Sequence, residues 1–251
     1  QQIAAVQVRQ PVLRWPVTPG LKTKLNGARV ESVERRAKYL LLRTTSGTVL
    51  IHLGMSGSLR LVSGDVAPQD HDHVDLGFGN GLVLRLKDPR RFGAVLWTPS
   101  DPLTHPLLAE LGPEPLSDEF DGRWLHQHAR GRRAAVKTLL MNGRIVAGVG
   151  NIYASEALFL AGINPARSAR RIAAHRFARL ADSVKQVLEE AVAQGGTTLR
   201  DFVNGAGEPG YFAQYLRVYG REGEPCVGCG GAVKARVLGQ RASYYCPRCQ
   251  R

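Results

Sequence analysis

Four cysteines carry the clearest chemistry in this chain. Cys226 and Cys229 are followed by sixteen residues and then by Cys246 and Cys249, and no other cysteine occurs in the 251 residues. Two C-x-x-C pairs at this separation can close a tetrahedral thiolate site, which suits zinc; iron can occupy four thiolates as well. The intervening segment, 231–245, reads as two β-rich runs around a Gly239-Gln240 turn. Arg241 lies beside the tip of that hairpin, so the clamp presents a guanidinium. A second constellation is Gly148-Val149-Gly150-Asn151, a glycine-bearing turn between two helical runs. With Asn151 as N-cap, free N–H groups and the helix dipole would point at an anion such as a phosphate, although many ordinary helix starts look alike.

These groups need elements to hold them. Residues 47–53 and 81–86 are short apolar runs bounded by Gly or Ser, and the segment 33–42 feeds a further strand, a spacing that suggests a sandwich or barrel. A Pro/Gly-bearing linker at 111–118 separates them from helical sequence. Residues 134–141 and 153–160 read as helices. Phe177, Leu180, Val184, Val187, Leu188 and Ala191 form one apolar face of another helix, stopped by Gly195-Gly196. The expected fold is α+β and multidomain: an N-terminal β-sandwich over 1–114, a helical domain over 115–220 and a zinc-bound β-hairpin over 221–251.

Charge narrows the partners. The net charge is +13 and the sequence pI about 10.1, the footprint of a polyanion binder. Residues 115–251 hold 20 of the 34 basic residues but 11 of the 21 acidic ones, so the excess leans toward the cysteine end. No apolar run approaches the roughly 20 residues a bilayer needs, no secretory signal opens the chain, and one metal site absorbs every cysteine. The expectation is a cytoplasmic protein with no membrane partner.

Gly148-Val149-Gly150-Asn151-Ile152-Tyr153-Ala154-Ser155-Glu156 resembles the helix-two-turn-helix signature of formamidopyrimidine-DNA glycosylases. Segments 35–40, 52–57, 71–75, 88–93, 195–199 and 210–214 are similar to that family in the same order, as is the cysteine hairpin. The sister endonuclease VIII family as a rule lacks the Met-Ser-Gly and Gly-Tyr-Phe-Ala-Gln segments present here. The resemblance therefore implies base excision repair of oxidised purines: duplex DNA is kinked, 8-oxoguanine or a formamidopyrimidine is flipped out and excised, and the strand is nicked by β- and δ-elimination. It implies one structural Zn2+, a monomer, and duplex DNA with oxidised purines or abasic sites as partner. The alternatives are a non-catalytic damage-binding protein of the same fold, an endonuclease VIII-like oxidised-pyrimidine glycosylase, and a zinc-ribbon RNA-binding protein.

By that resemblance Lys38 supports β-elimination and contacts phosphate, and Arg241 grips the lesion phosphates and assists δ-elimination. His52 and Asn151 match phosphate contacts, and His71, Arg91 and Arg133 match DNA-contact positions. Lys137 lies near a lesion-side lysine. Met55, Arg90 and Phe92 match the wedge that fills the gap left by the extruded base, although Met and Phe are equally common in cores. Residues 195–215, with Thr197, Thr198, Gly205, Gly207 and Gly210, resemble a loop that closes over the damaged base. The family's nucleophile, an N-terminal proline followed by a glutamate, has no counterpart in a sequence that begins Gln1-Gln2-Ile3-Ala4. A protein of only these 251 residues is therefore expected to show no glycosylase turnover, with weakened DNA binding and no covalent adduct on borohydride trapping.

Overall fold

The computed structural model describes residues 1–196 and 212–251. The loop residues Thr197, Thr198, Gly205, Gly207 and Gly210 lie outside the described residues. The chain divides into two compact units, one containing Gln1–Ala109 and the other Glu110–Gly196 with the segment up to Arg251.

Among the described residues the first unit has eight strands: β1 (Ile3–Val8), β2 (Val30–Arg36), β3 (Tyr39–Thr44), β4 (Gly47–His52), β5 (Ser58–Ser63), β6 (Asp72–Phe78), β7 (Leu82–Lys87) and β8 (Ala94–Thr98), with a short α-helix, α1 (Leu21–Leu25). They form two antiparallel sheets, β1-β6-β7-β5 and β2-β3-β4-β8. Ile3 and Val6 of the first sheet share one buried cluster with Val49 and Ile51 of the second, which makes the unit a sandwich. The segment 33–42, expected to feed a single strand, is a hairpin. Arg36 pairs with Tyr39, and Ala37 at φ 52 opens the two-residue turn that leaves Lys38 at the tip.

The outer face of the first sheet carries a buried ionic layer. Arg85 lies directly across from Asp75 and binds it with two hydrogen bonds of 3.0 and 2.9 Å, and Arg9 adds a third at 2.6 Å. The same guanidinium donates to the carbonyls of Val66 and Ala67, so it pins the loop that leads to His71.

The second unit packs α2 (Gly122–Ala129), α3 (Val136–Leu140), α4 (Asn151–Leu160) and α5 (Ala174–Ala193) around a core containing Leu125, Leu140, Leu158, Phe177 and Leu180. Asp121 caps α2 by accepting from Trp124 N–H at 2.7 Å. Gly122 sits so close to α5 that a Cβ there would lie 2.3 Å from Ala178 Cα, an approach only glycine permits. The helix α5 ends at Gly195-Gly196, where Gly196 N–H reaches the Ala191 carbonyl. The run 134–141 yields a helix of only five residues. Ala134 instead accepts from Ala169 N–H at 2.9 Å and Ala135 forms a bridge with Ser168, so a neighbouring segment satisfies this backbone before a helix can. Strands β9 (Lys234–Leu238) and β10 (Arg241–Tyr245) form the expected hairpin. Its turn residues Gly239 and Gln240 both have positive φ, 52° and 61°, as a two-residue type I′ connection requires.

Candidate nucleic-acid interface

In the first unit the register of one sheet gathers the expected residues at one end. Tyr39 pairs with His52 and His52 with Ala94, so the Lys38 tip, the end of β4 and the loop entering β8 are neighbours. Arg14, Trp15, Tyr39, His52, Phe92, Ala94 and Leu107 line a cavity of about 170 Å³ there. Gly54 N–H donates to His52 Nδ1 at 2.9 Å, so Nδ1 is the unprotonated nitrogen and the neutral ring carries its hydrogen on Nε2. Burial, then the charges of Lys38 and Arg14, hold this imidazole below its usual pKa. His52 is thereby a neutral N–H donor in a cationic setting, which suits an anionic oxygen.

The wedge residues are exposed, which separates them from the core alternative. Met55 is 59% exposed and Phe92 40% exposed. Arg90 lies over the Phe92 ring at 4.7 Å. A Cβ on Gly54 would meet the Phe92 backbone at 2.6 Å, so glycine lets the Met55 loop seat directly on the Phe92 loop. The organiser beneath them is Asp88, which the sequence reading did not single out. It is fully buried, its Oδ2 accepts from Gly93 N–H at 2.7 Å, and its backbone carbonyl meets His73 Nε2 at 2.9 Å. Its own N–H donates to the His71 carbonyl, tying His71 to the same loop. His71 and Arg91 are exposed and hold φ values of 71° and 54°, local conformations that the surrounding hydrogen bonds sustain. His73, by contrast, is buried, and the two imidazole rings meet edge-on with centroids 6.2 Å apart.

In the second unit Asn151 is the first residue of α4 and Gly150 its N-cap, a one-residue correction to the expected cap. Asn151 Nδ2 donates to the Tyr219 hydroxyl at 3.2 Å, and Tyr219 packs edge-on against Tyr244 of the hairpin at 5.0 Å. Tyr219 belongs to this site and went unnoticed in sequence, where nothing sets it apart from Tyr211 and Tyr215. Glu156, fully buried, fixes it by accepting from the N–H groups of Arg217, Val218 and Tyr219 at 2.8, 3.0 and 2.9 Å. Arg133 is exposed ahead of α3, and Arg241 is exposed at the start of β10. Lys137 is a buried cation set against the hairpin. It is 1% exposed, and its ammonium is spent inside the unit on the Ala242 carbonyl at 3.0 Å and the Ser243 hydroxyl at 2.8 Å. Burial pushes its pKa down to about 8. Ser243 Oγ in turn donates to the Arg241 carbonyl at 3.3 Å, so Lys137 braces the turn that presents Arg241.

The four cysteine sulfurs lie within 4.8 Å of one another and form the single group of metal-ligating residues among the described residues. Cys226 and Cys249 Sγ are 3.8 Å apart and Cys229 and Cys246 Sγ 3.5 Å apart. Tetrahedral Zn–S bonds of about 2.3 Å require sulfurs about 3.8 Å apart, whereas a disulfide requires about 2.05 Å. Hydrogen bonding to Cys229 leads the causes that push the Cys249 thiol up to about 12. Such a cluster gives up its protons together to a dication. The site fits one structural Zn2+, which would be held by Cys226, Cys229, Cys246 and Cys249.

A β-sandwich, a helix-two-turn-helix core and a thiolate-clamped hairpin define the class of zinc-finger DNA glycosylases. Family models agree: the formamidopyrimidine-DNA glycosylase N-terminal domain matches residues 1–95, the H2TH domain of the same enzymes matches 111–203, and the zinc finger found in FPG and IleRS matches 223–251. A formamidopyrimidine-DNA glycosylase of Syntrophotalea carbinolica is 58% identical over 251 residues, covering 100% of this chain and 93% of the relative. One from Methylococcus capsulatus is 56% identical, covering 100% of this chain and 92% of the relative. Among solved structures, Lactococcus lactis Fpg in complex with abasic-site DNA has a TM-score of 0.91 at 30% identity, covering 100% of this chain and 93% of that one. Fpg from Thermus thermophilus has a TM-score of 0.88 at 37% identity, with coverages of 100% and 91%. The chain belongs to the formamidopyrimidine-DNA glycosylase family. The resemblance, the α+β class and the zinc assignment are thereby borne out, and the matches do not favour the endonuclease VIII-like or RNA-binding alternatives.

Proposed function

We propose that this protein is a DNA glycosylase and AP lyase that acts on duplex DNA bearing oxidised purines, 8-oxoguanine and formamidopyrimidines, and on abasic sites. The observation that carries the reading is the match to this family's enzymes over the full chain at 58% identity, joined to exposed wedge residues and a neutral His52 donor. In the first unit Lys38 supports β-elimination and His52 holds phosphate through Nε2–H. His71 and Arg91 contact the backbone, and Met55, Arg90 and Phe92 fill the gap in the stack. In the second unit Asn151 and Arg133 contact phosphate, while the Arg241 fork holds phosphate oxygens and assists δ-elimination. Bound zinc keeps the hairpin folded and takes no part in these proton transfers. The functional division follows 1–114, 115–220 and 221–251, and the protein acts as a monomer. No helix among the described residues is long and apolar enough to cross a membrane; a DNA substrate would put the working protein at the bacterial nucleoid.

The test uses a duplex with a single abasic site. The protein should bind it tighter than the undamaged duplex, and Arg241→Ala, in the enzyme carrying the family's N-terminal proline, should abolish cleavage at the preformed site. Equal affinity for damaged and undamaged duplexes would overturn the reading, and unchanged cleavage by R241A would overturn the role of Arg241.

A further inference from the structure

An arginine platform in the second unit extends beyond Arg133, its one member assigned above. Backbone hydrogen bonds zip residues 132–137 to residues 165–170: Arg170 N–H to the Arg132 carbonyl at 3.1 Å, Ala169 N–H to Ala134 at 2.9 Å, Val136 N–H to Arg167 at 2.9 Å and Lys137 N–H to Pro165 at 3.3 Å. The pairing brings Arg130, Arg132 and Arg133 from one segment beside Arg167, Arg170 and Arg171 from the other. All six are exposed, and none has an ion-pair partner among the described residues. Between Asp121 and Asp182 the sole acidic residue is Glu156, which is buried and committed to the 217–219 backbone. The paired segments thus present a basic surface, although Arg130 lines a pocket that also includes Asp121 and Asp182. Such a surface gains by exchanging condensed cations on a polyanion for its own guanidinium groups. Guanidinium groups carried on paired backbone can each hold phosphate oxygens through their planar fork.

We propose that Arg170 and Arg171 form, with Arg167, a second phosphate-contact surface that grips the backbone of duplex DNA outside the damaged nucleotide. This surface supplies sequence- and lesion-independent affinity, the term used in searching undamaged DNA. The proposal rests on the reading of the chain as a DNA repair enzyme.

The experiment compares the wild type with R170S/R171S by fluorescence anisotropy on undamaged and abasic-site duplexes across a fourfold range of salt. Each lost phosphate contact removes about 0.9 from the slope of log affinity against log salt. The double variant should lose about 1.8, so that the wild-type advantage shrinks about tenfold over a fourfold rise in salt. Both duplexes should weaken by the same factor, with the preference for the abasic site and the nicking rate at saturating enzyme unchanged. R170K/R171K should keep the wild-type slope, which guards against a folding defect. An unchanged slope for R170S/R171S, a loss confined to the abasic duplex, or a larger loss on structured RNA than on duplex DNA would overturn the proposal. If both proteins bind the two duplexes equally while the slope still falls, the lesion-repair reading fails and the platform stands.

Discussion

Lys137 offers the sharpest test of how the hairpin is held. Its ammonium is 1% exposed and faces a carbonyl and a hydroxyl, with no carboxylate as partner. Burial lowers its pKa from 10.5 to about 8. At about 1.36 kcal/mol per unit, keeping it charged in the native state costs about 3 kcal/mol. Against this stand two hydrogen bonds from a charged donor, each contributing roughly 1.5–3 kcal/mol. Lys137→Met at pH 7 relieves the first and forfeits the second, leaving the variant about 0–3 kcal/mol less stable.

The pH dependence isolates the charge. Between pH 8 and 10.5 the unfolded lysine still holds its proton while the native one has lost it. The unfolded state binds more protons there, so stability rises with pH. Urea unfolding should therefore show the wild type gaining up to about 3 kcal/mol relative to K137M over this window, since the variant lacks the group. The difference between the two proteins cancels every other titration. A gap that is the same at pH 7 and pH 10 would refute the reasoning. The functional readout follows the contact chain from Lys137 through Ser243 to the Arg241 carbonyl: K137M should cleave an abasic site more slowly while keeping its zinc.

Chelation of zinc should cost DNA binding while leaving the helical circular dichroism intact. The hairpin's own buried cluster is only Val218, Cys226, Val233 and Cys246, too little to fold without the metal; full DNA binding after complete zinc removal would contradict this. Asp75→Asn should cost about 3 kcal/mol in urea unfolding because it strips the main anion from buried Arg85. D75N/R85M should cost at least 1 kcal/mol less than the sum of its single variants, and strict additivity would show that the pair is not coupled. Burial works against the Asp75 charge, yet the hydrogen bonds from Arg9 and Arg85 outweigh it and hold the carboxyl below its usual pKa. This contribution is present above the ordinary carboxylate pKa and is lost as acid titrates Asp75. The His52 imidazole should titrate below 6.5 by NMR and show the Nε2–H tautomer; an Nδ1–H tautomer would remove its role as a phosphate donor.

Which parts of this protein were legible in its sequence follows from where the controlling interactions lie. The hairpin was readable because its determinants are local: two C-x-x-C pairs fix the ends, and Gly239-Gln240 adopts a two-residue turn that suits strands of that register. The amphipathic α5 and its glycine stop were readable for the same reason. The hairpin at Ala37-Lys38 was not, because neither residue is a turn former; the pairing of β3 with β4 and of β4 with β8 imposes the bend. Lys137 shows the stronger limit. Sequence can show that a lysine stands in a basic run, but not that Ala242 and Ser243, more than a hundred residues away, will claim its amine. Asp88, Glu156 and Tyr219 were missed on the same ground: the two carboxylates act through backbone N–H groups, and the Tyr219 hydroxyl through the Asn151 amide, partners that only the folded chain supplies. The residues that would touch DNA announce themselves by type, as exposed cations and aromatics. Those that aim them are buried polar groups whose partners are distant in sequence, and it is these that make the site a fixed geometry instead of a basic surface.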